Sequence, residues 1–95
     1  MNEAQVVART VSVANPLGIH ARPSALVVRR AARFKADIYL TKEDVHRING
    51  KSIMGVMMLA AEQGSQVTIE AVGEDAAAAV GALAELLESN FEAQI

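Results

Sequence analysis

Gly18-Ile19-His20-Ala21-Arg22-Pro23 gathers an imidazole, a guanidinium and a proline where strand-like alternation gives way to helical spacing. His20 stands at the mouth of that helix. A helix start presents unpaired backbone N–H groups and the positive end of the helix dipole, and both favour an anion. Arg22 adds a charged fork that matches phosphate. Pro23 gives up an N–H that no intrahelical carbonyl would use and pre-sets the first turn. Gly18 lets backbone approach closely. The same dipole disfavours a second proton on the imidazole, leaving a lone pair free for nucleophilic attack. The chemistry this pattern suits is an imidazole that takes up a phosphoryl group, whose charge then meets the helix end and Arg22. The bland alternative is a packed or capping histidine. It would win for a histidine with ordinary neighbours, and the flanking Gly18, Arg22 and Pro23 tip the balance the other way.

Ser52 opens a second apolar helical stretch. Its residue type predicts an ordinary N-cap, and spacing alone favours that reading. Position 55 holds Gly55 rather than Glu or Gln, so no capping box forms. The functional alternative is a phosphorylatable serine, since a phosphate at a helix start is stabilised locally. Ile53, Met54, Val56, Met57, Met58 and Leu59 are too apolar for one stripe of a short surface helix. Either all are core, or Met54 and Met57 belong to an exposed, adaptable partner patch. Arg22, Arg29 and Arg33 form a stripe that is a solvated face or meets an acidic partner. His46 reads as a surface residue. Glu3, Glu43, Asp44, Glu74 and Asp75 form no paired-carboxylate motif.

The elements that must hold these residues follow from periodicity. Residues 5–13 alternate as a strand, with Val7, Val11 and Val13 on one face and Arg9 interrupting it. Asn15-Pro16-Leu17-Gly18 is a turn cluster. Residues 21–33 take helical spacing, with Ala21, Ala25, Val28 and Ala32 as the core stripe. Residues 37–41 and 45–48 read as strands around a Lys42-Glu43-Asp44 loop, with Ile38 and Leu40 facing inward. Asn49-Gly50 turns strand into helix. The second helix covers 53–61, with Gly64 as its stop. Residues 66–72 alternate as a strand around Val67, Ile69 and Ala71. A last helix covers 76–90, with Ala76, Val80, Leu83, Leu87 and Phe91 inward. The order β-α-β-β-α-β-α predicts a two-layer α+β sandwich, a mostly antiparallel sheet with helices on one face.

Composition narrows the function classes. The chain has 95 residues, 52% of them hydrophobic, enough for one modest core. Aromatic residues make up 3%, which argues against the stacking platforms of single-stranded nucleic-acid binders. A net charge of −2 without a Lys/Arg block argues against nucleic acid generally. Without cysteine there is no disulfide and no thiolate chemistry, and two histidines far apart give a metal site little support. No basic segment followed by an apolar stretch suggests a signal peptide, and no apolar run is long enough to insert into a membrane. The expectation is a soluble cytoplasmic protein.

From about residue 5 to residue 90 the chain closely resembles the HPr family, the histidine phosphocarriers of the bacterial phosphoenolpyruvate-dependent phosphotransferase system. Gly18-Ile19-His20-Ala21-Arg22-Pro23 resembles the family's active-site signature, and Lys51-Ser52-Ile53-Met54-Gly55-Val56-Met57-Met58-Leu59 its regulatory-serine segment. The resemblance implies a single HPr domain over 1–95. It implies an open-faced two-layer sandwich: a four-stranded antiparallel sheet with three helices on one face. It implies that His20 takes phosphate on Nδ1 from phosphorylated enzyme I and passes it to EIIA-type proteins. Arg22 would support the phosphate, and Gly18, Ala21 and Pro23 would shape the helix start. Ser52 would be the target of an HPr kinase/phosphorylase. Ile53, Met54, Met57, Arg29 and Lys51 would form the partner surface. No cofactor and no metal are implied, and the expected state is a monomer acting as a stoichiometric carrier rather than a stand-alone enzyme. The tail Leu86-Leu87-Glu88-Ser89-Asn90-Phe91-Glu92 is similar to nitrogen-branch members, and the serine segment to sugar-branch members. The rival from another class is therefore a regulatory phosphoprotein whose phosphorylation state controls partners rather than sugar uptake. A small hydrolase is disfavoured, because no second acid/base group stands beside His20 in the sequence.

Overall fold

Alternating burial along the strands sets the architecture. In a computed structural model of the chain, residues 5–16, 18–19, 21–43 and 45–89 are described. The strands are β1 (Val6–Ser12), β2 (Asp37–Lys42), β3 (Val45–Asn49) and β4 (Gln66–Val72); the helices are α1 (Ala21–Ala31), α2 (Ile53–Met58) and α3 (Ala76–Leu87). The sheet runs β1-β4-β2-β3 with every neighbour antiparallel. β4 therefore lies centrally although it is last in sequence. Its partners stand in register: Ile69 faces Arg9 and Leu40, and Ala71 faces Val7 and Ile38. Val11, Val67, Ile69, Ala71, Ile38 and Leu40 are buried beneath the helices. The opposite face carries Thr10, Thr68 and Thr41 side by side, with Thr10 and Thr68 hydroxyls hydrogen-bonded at 2.7 Å. The expected open-faced α+β sandwich with three helices is the observed fold.

Arg9 shares the parity of Val7 and Val11, yet it leaves the core by reaching the end of α3, where it pairs with Glu88 at 3.6 Å. The α3 stripe Ala76, Val80, Leu83 and Leu87 is buried as expected. Leu17, His20, Asp44, Asn90 and Phe91 lie outside the described residues.

α1 departs from its expected stripe. Ala21 and Ala32 are exposed, and Ala25 and Val28 are half-buried. Pro23, Ser24, Val27 and Ala31 are buried instead. Leu26, Val27 and Val28 are consecutive, so any rotation of the helix buries one of them and periodicity cannot choose. The small side chains of Ser24 and Ala31 flank Val27 on the chosen face and allow close packing. The exposed Arg22, Arg29 and Arg33 match their expected face.

α2 is shorter than expected and does not end at Gly64. It closes at Met58 because Ala60 takes a left-handed backbone, φ 50°. That turn sends Ala61 into the core. Gly64 lies in the following turn, where its N–H reaches the Val13 carbonyl at 2.8 Å.

Candidate functional site at the start of α1

The loop ahead of α1 is tied by three hydrogen bonds. The Asn15 carbonyl accepts the Gly18 N–H at 2.9 Å, and the Asn15 side-chain amide returns a bond to the Gly18 carbonyl at 2.7 Å. The Ile19 N–H donates to the Ala61 carbonyl at 2.8 Å. Gly18 has φ +70°, and a Cβ built on it would stand 2.6 Å from the Ala61 oxygen. The close approach that glycine permits is therefore toward the end of α2. Asn15 and Ile19 are buried, so this segment enters α1 from a fixed base.

α1 begins at Ala21, the residue after His20. Ala21 and Arg22 are exposed, and Pro23 is buried. The geometry of a helix start leaves the Ala21 and Arg22 N–H groups without intrahelical acceptors, while Pro23 has none to satisfy. No acidic residue lies in the first turn of α1. Its last turn carries Arg29 and Arg30, which complement the negative dipole end.

Ser52 is the N-cap of α2, with extended backbone (φ −117°, ψ 120°) and Oγ accepting the Gly55 N–H at 3.1 Å. Gly55 makes room for β3: a Cβ there would meet Ile48 Cγ2 at 2.7 Å. With α2 this close to the sheet, Val56 and Leu59 are buried, while Ile53, Met54, Met57 and Met58 remain exposed. The all-core reading of this segment therefore fails for four of its residues, Met54 being 76% exposed. Ser52 stands at one end of α2, and the loop through Gly18 and Ile19 is bonded to its other end.

Lys51 is half-buried, and its Nζ donates to the Phe34 carbonyl at 2.8 Å, beyond the last turn of α1. It thus lies at the far end of α1 from Arg22. His46 is exposed, as its loop-side position suggested.

Asp75 was not singled out by its spacing, yet it fastens this region. Its carboxylate accepts the Lys35 and Ala36 N–H groups at 2.8 Å each. The Lys35 bond is the main reason its carboxyl lies below the usual value; the Ala36 bond and the charge of Lys51 act in the same direction. Asn15 was legible only as part of a turn. Its place before Pro16 is the available signal, since short polar side chains bond their own turn backbone.

Fold and site together define a class: an open-faced α+β protein that carries its histidine motif at an exposed helix start. Residues 7–89 match the family model PTS-HPr, described as the PTS HPr component phosphorylation site. The chain is 45% identical to the phosphocarrier protein HPr of Treponema pallidum, covering 92% of this chain and 98% of that protein. It is 43% identical to the HPr-like protein Crh of Bacillus subtilis, covering 87% and 96%. The crystal structure of the phosphocarrier protein HPr from Bacillus anthracis superposes with a TM-score of 0.81 at 46% identity, covering 86% and 96%. The chain belongs to the HPr family of phosphocarrier proteins of the phosphotransferase system.

Proposed function

We propose that His20 accepts a phosphoryl group from phosphorylated enzyme I and donates it to an EIIA-type protein. The observation that supports this reading most is the start of α1 directly after His20, within a family match that spans residues 7–89. In the transfer step a lone pair of the His20 imidazole attacks phosphorus on the donor's phosphohistidine. One P–N bond forms as the other breaks, and the donor imidazole recovers its lone pair. The free N–H groups of Ala21 and Arg22, the α1 dipole and the Arg22 guanidinium then hold the phosphoryl charge. Both bonds are of one kind, so the reaction needs chiefly alignment of two imidazoles. An exposed helix start suits that need better than a cleft.

The exposed Ile53, Met54 and Met57 serve as the docking patch in this reading, with Arg22 and Arg29 at its rim. Ser52 is the regulatory serine, phosphorylated by an HPr kinase/phosphorylase. One face that must receive a donor and an acceptor in turn favours a monomer, a single HPr domain over 1–95 working in the cytoplasm.

The test is incubation of the pure protein with phosphoenolpyruvate, magnesium and enzyme I, with intact mass read before and after mild acid. One acid-labile phosphate mapped to His20, absent from a folded His20→Ala variant, is the expected result. No label from an enzyme I that phosphorylates its own partner overturns the carrier reading in favour of a regulatory protein.

A further inference from the structure

We propose that Met54, Met57 and Met58 form a reversible oxidation site, where hydrogen peroxide converts thioethers to sulfoxides and closes the exposed face of α2 to partners. Three of the chain's four methionines lie within the six residues of α2, and the fourth, Met1, lies outside the described residues. They stand at i, i+3 and i+4, so they share one face of the helix. Met54 is 76% exposed, Met58 64% and Met57 44%. The buried apolar side chains of the described residues are Val, Ile, Leu and Ala, with no methionine among them. The chain has no cysteine. The oxidisable sulfur of the described residues is therefore gathered on one exposed helix face.

That distribution decides what oxidation does. A sulfur lone pair attacks one peroxide oxygen; an S–O bond forms and the O–O bond breaks. The departing hydroxide collects the proton left on the transferred oxygen and becomes water. Sulfur gives up two electrons, and the peroxide is reduced. A polar, chiral group then replaces a flexible apolar one. In a core that change would disrupt packing. Here Val56 and Leu59 hold α2 to the core, and Ser52 caps it through the Gly55 N–H; none of these groups contains sulfur. The sulfoxide oxygens stay in water, and the fold is kept.

A partner bears the cost instead. α2 carries no charged residue, so its attraction for a partner is apolar, and oxidation removes that attraction. Burying a sulfoxide without a matching donor also carries a desolvation penalty. Methionine sulfoxide reductases, one for each epimer, restore the thioether. The closure rests on the docking face proposed above, whereas the selectivity of oxidation does not.

The experiment treats the full chain with hydrogen peroxide in the presence of a chelator, then removes the oxidant. Oxygen uptake is mapped by peptide mass, the fold is followed by thermal melting, and phosphorylation by enzyme I is timed. Met54 and Met58 should gain oxygen ahead of Met57, with cooperative melting retained. The apparent KM for enzyme I should rise about tenfold at unchanged kcat, the scale of part of one methionine's burial. The two reductases together should reverse the rise. A variant with Met54→Leu, Met57→Leu and Met58→Leu keeps the face apolar without sulfur, and its KM should be the same before and after peroxide. Methionines that resist excess peroxide overturn the proposal, as does a lost melting transition. Mapped sulfoxides with an unchanged KM overturn it too, as does a rise that persists in the leucine variant. Untreated protein that takes no phosphate overturns the carrier reading and the closure with it, a failure seen before any oxidant is added.

Discussion

The N–H of Ile19 donates to the carbonyl of Ala61 at 2.8 Å, so the segment that leads into α1 hangs on the end of α2. Gly18 makes the contact possible, since any side chain there would overlap the same carbonyl. Gly18→Ala is expected to destabilise the fold by about 2 kcal/mol, from a strained left-handed backbone and a displaced Ala61. Urea unfolding measures the loss. Wild-type stability in this variant would show that the loop relaxes freely and that its fixed entry to α1 is not required.

Ser24 is fully buried in α1, and its hydroxyl has no hydrogen-bond partner among the described residues. Such a group loses its contacts with water and gains nothing. Ser24→Ala is expected to raise stability by about 1 kcal/mol, read from the same unfolding curves. A lower midpoint would mean that the hydroxyl is satisfied in solution.

Asp75 links stability to acid. The Lys35 N–H is the main cause that holds its carboxyl below the ordinary aspartate range. A depressed carboxylate contributes stability above its unfolded pKa and loses it as pH falls through the folded value. Wild-type protein should therefore lose melting temperature on acidification below the ordinary aspartate range, and Asp75→Asn should flatten this part of the profile. Identical acid limbs in the two proteins would remove Asp75 as the cause.

At Ser52 the cap and the charge can be separated. Ser52→Ala removes the acceptor for the Gly55 N–H and should cost about 1 kcal/mol. Ser52→Asp retains an acceptor and adds charge beside Ile53 and Met54. It should keep stability while slowing phosphoryl exchange with enzyme I on the order of tenfold. Exchange kinetics equal to wild type would end the regulatory reading of this serine.

Met54 is the most exposed large apolar side chain of the described residues. Met54→Lys should change stability by less than about 0.5 kcal/mol, as a surface substitution. It should nevertheless raise the apparent KM for enzyme I. A normal KM would move the docking patch away from α2.

β4 was legible because Val67, Ile69 and Ala71 alternate with polar residues and the strand is buried on one face alone. His20 stood out because its neighbours are unusual for a helix start, whereas Ser52 read as an ordinary N-cap and was singled out only by the family resemblance of its segment. The rotation of α1 was hidden, since Leu26, Val27 and Val28 offer an apolar residue to every orientation. The end of α2 was hidden too: Ala60 carries no residue-type signal for a left-handed backbone, whereas Gly64 carries a strong one and serves another turn. Asp75 was passed over because its partners, the N–H groups of Lys35 and Ala36, come from a loop some forty positions away in the chain. Contacts of that range leave no local pattern.

α2 joins Ser52 to the carbonyl that anchors Ile19, and its six residues rise about 9 Å. A protein interface of ordinary size covers about 800 Å² on each partner, a patch some three times as wide as that helix is long. A kinase seated over Ser52 and an exchange partner seated over the start of α1 must claim the same ground. If His20 and Ser52 are both phosphorylated as proposed, the two events form a mutually exclusive gate, with whichever visitor arrives first keeping the other off by bulk alone, before any charge has been added.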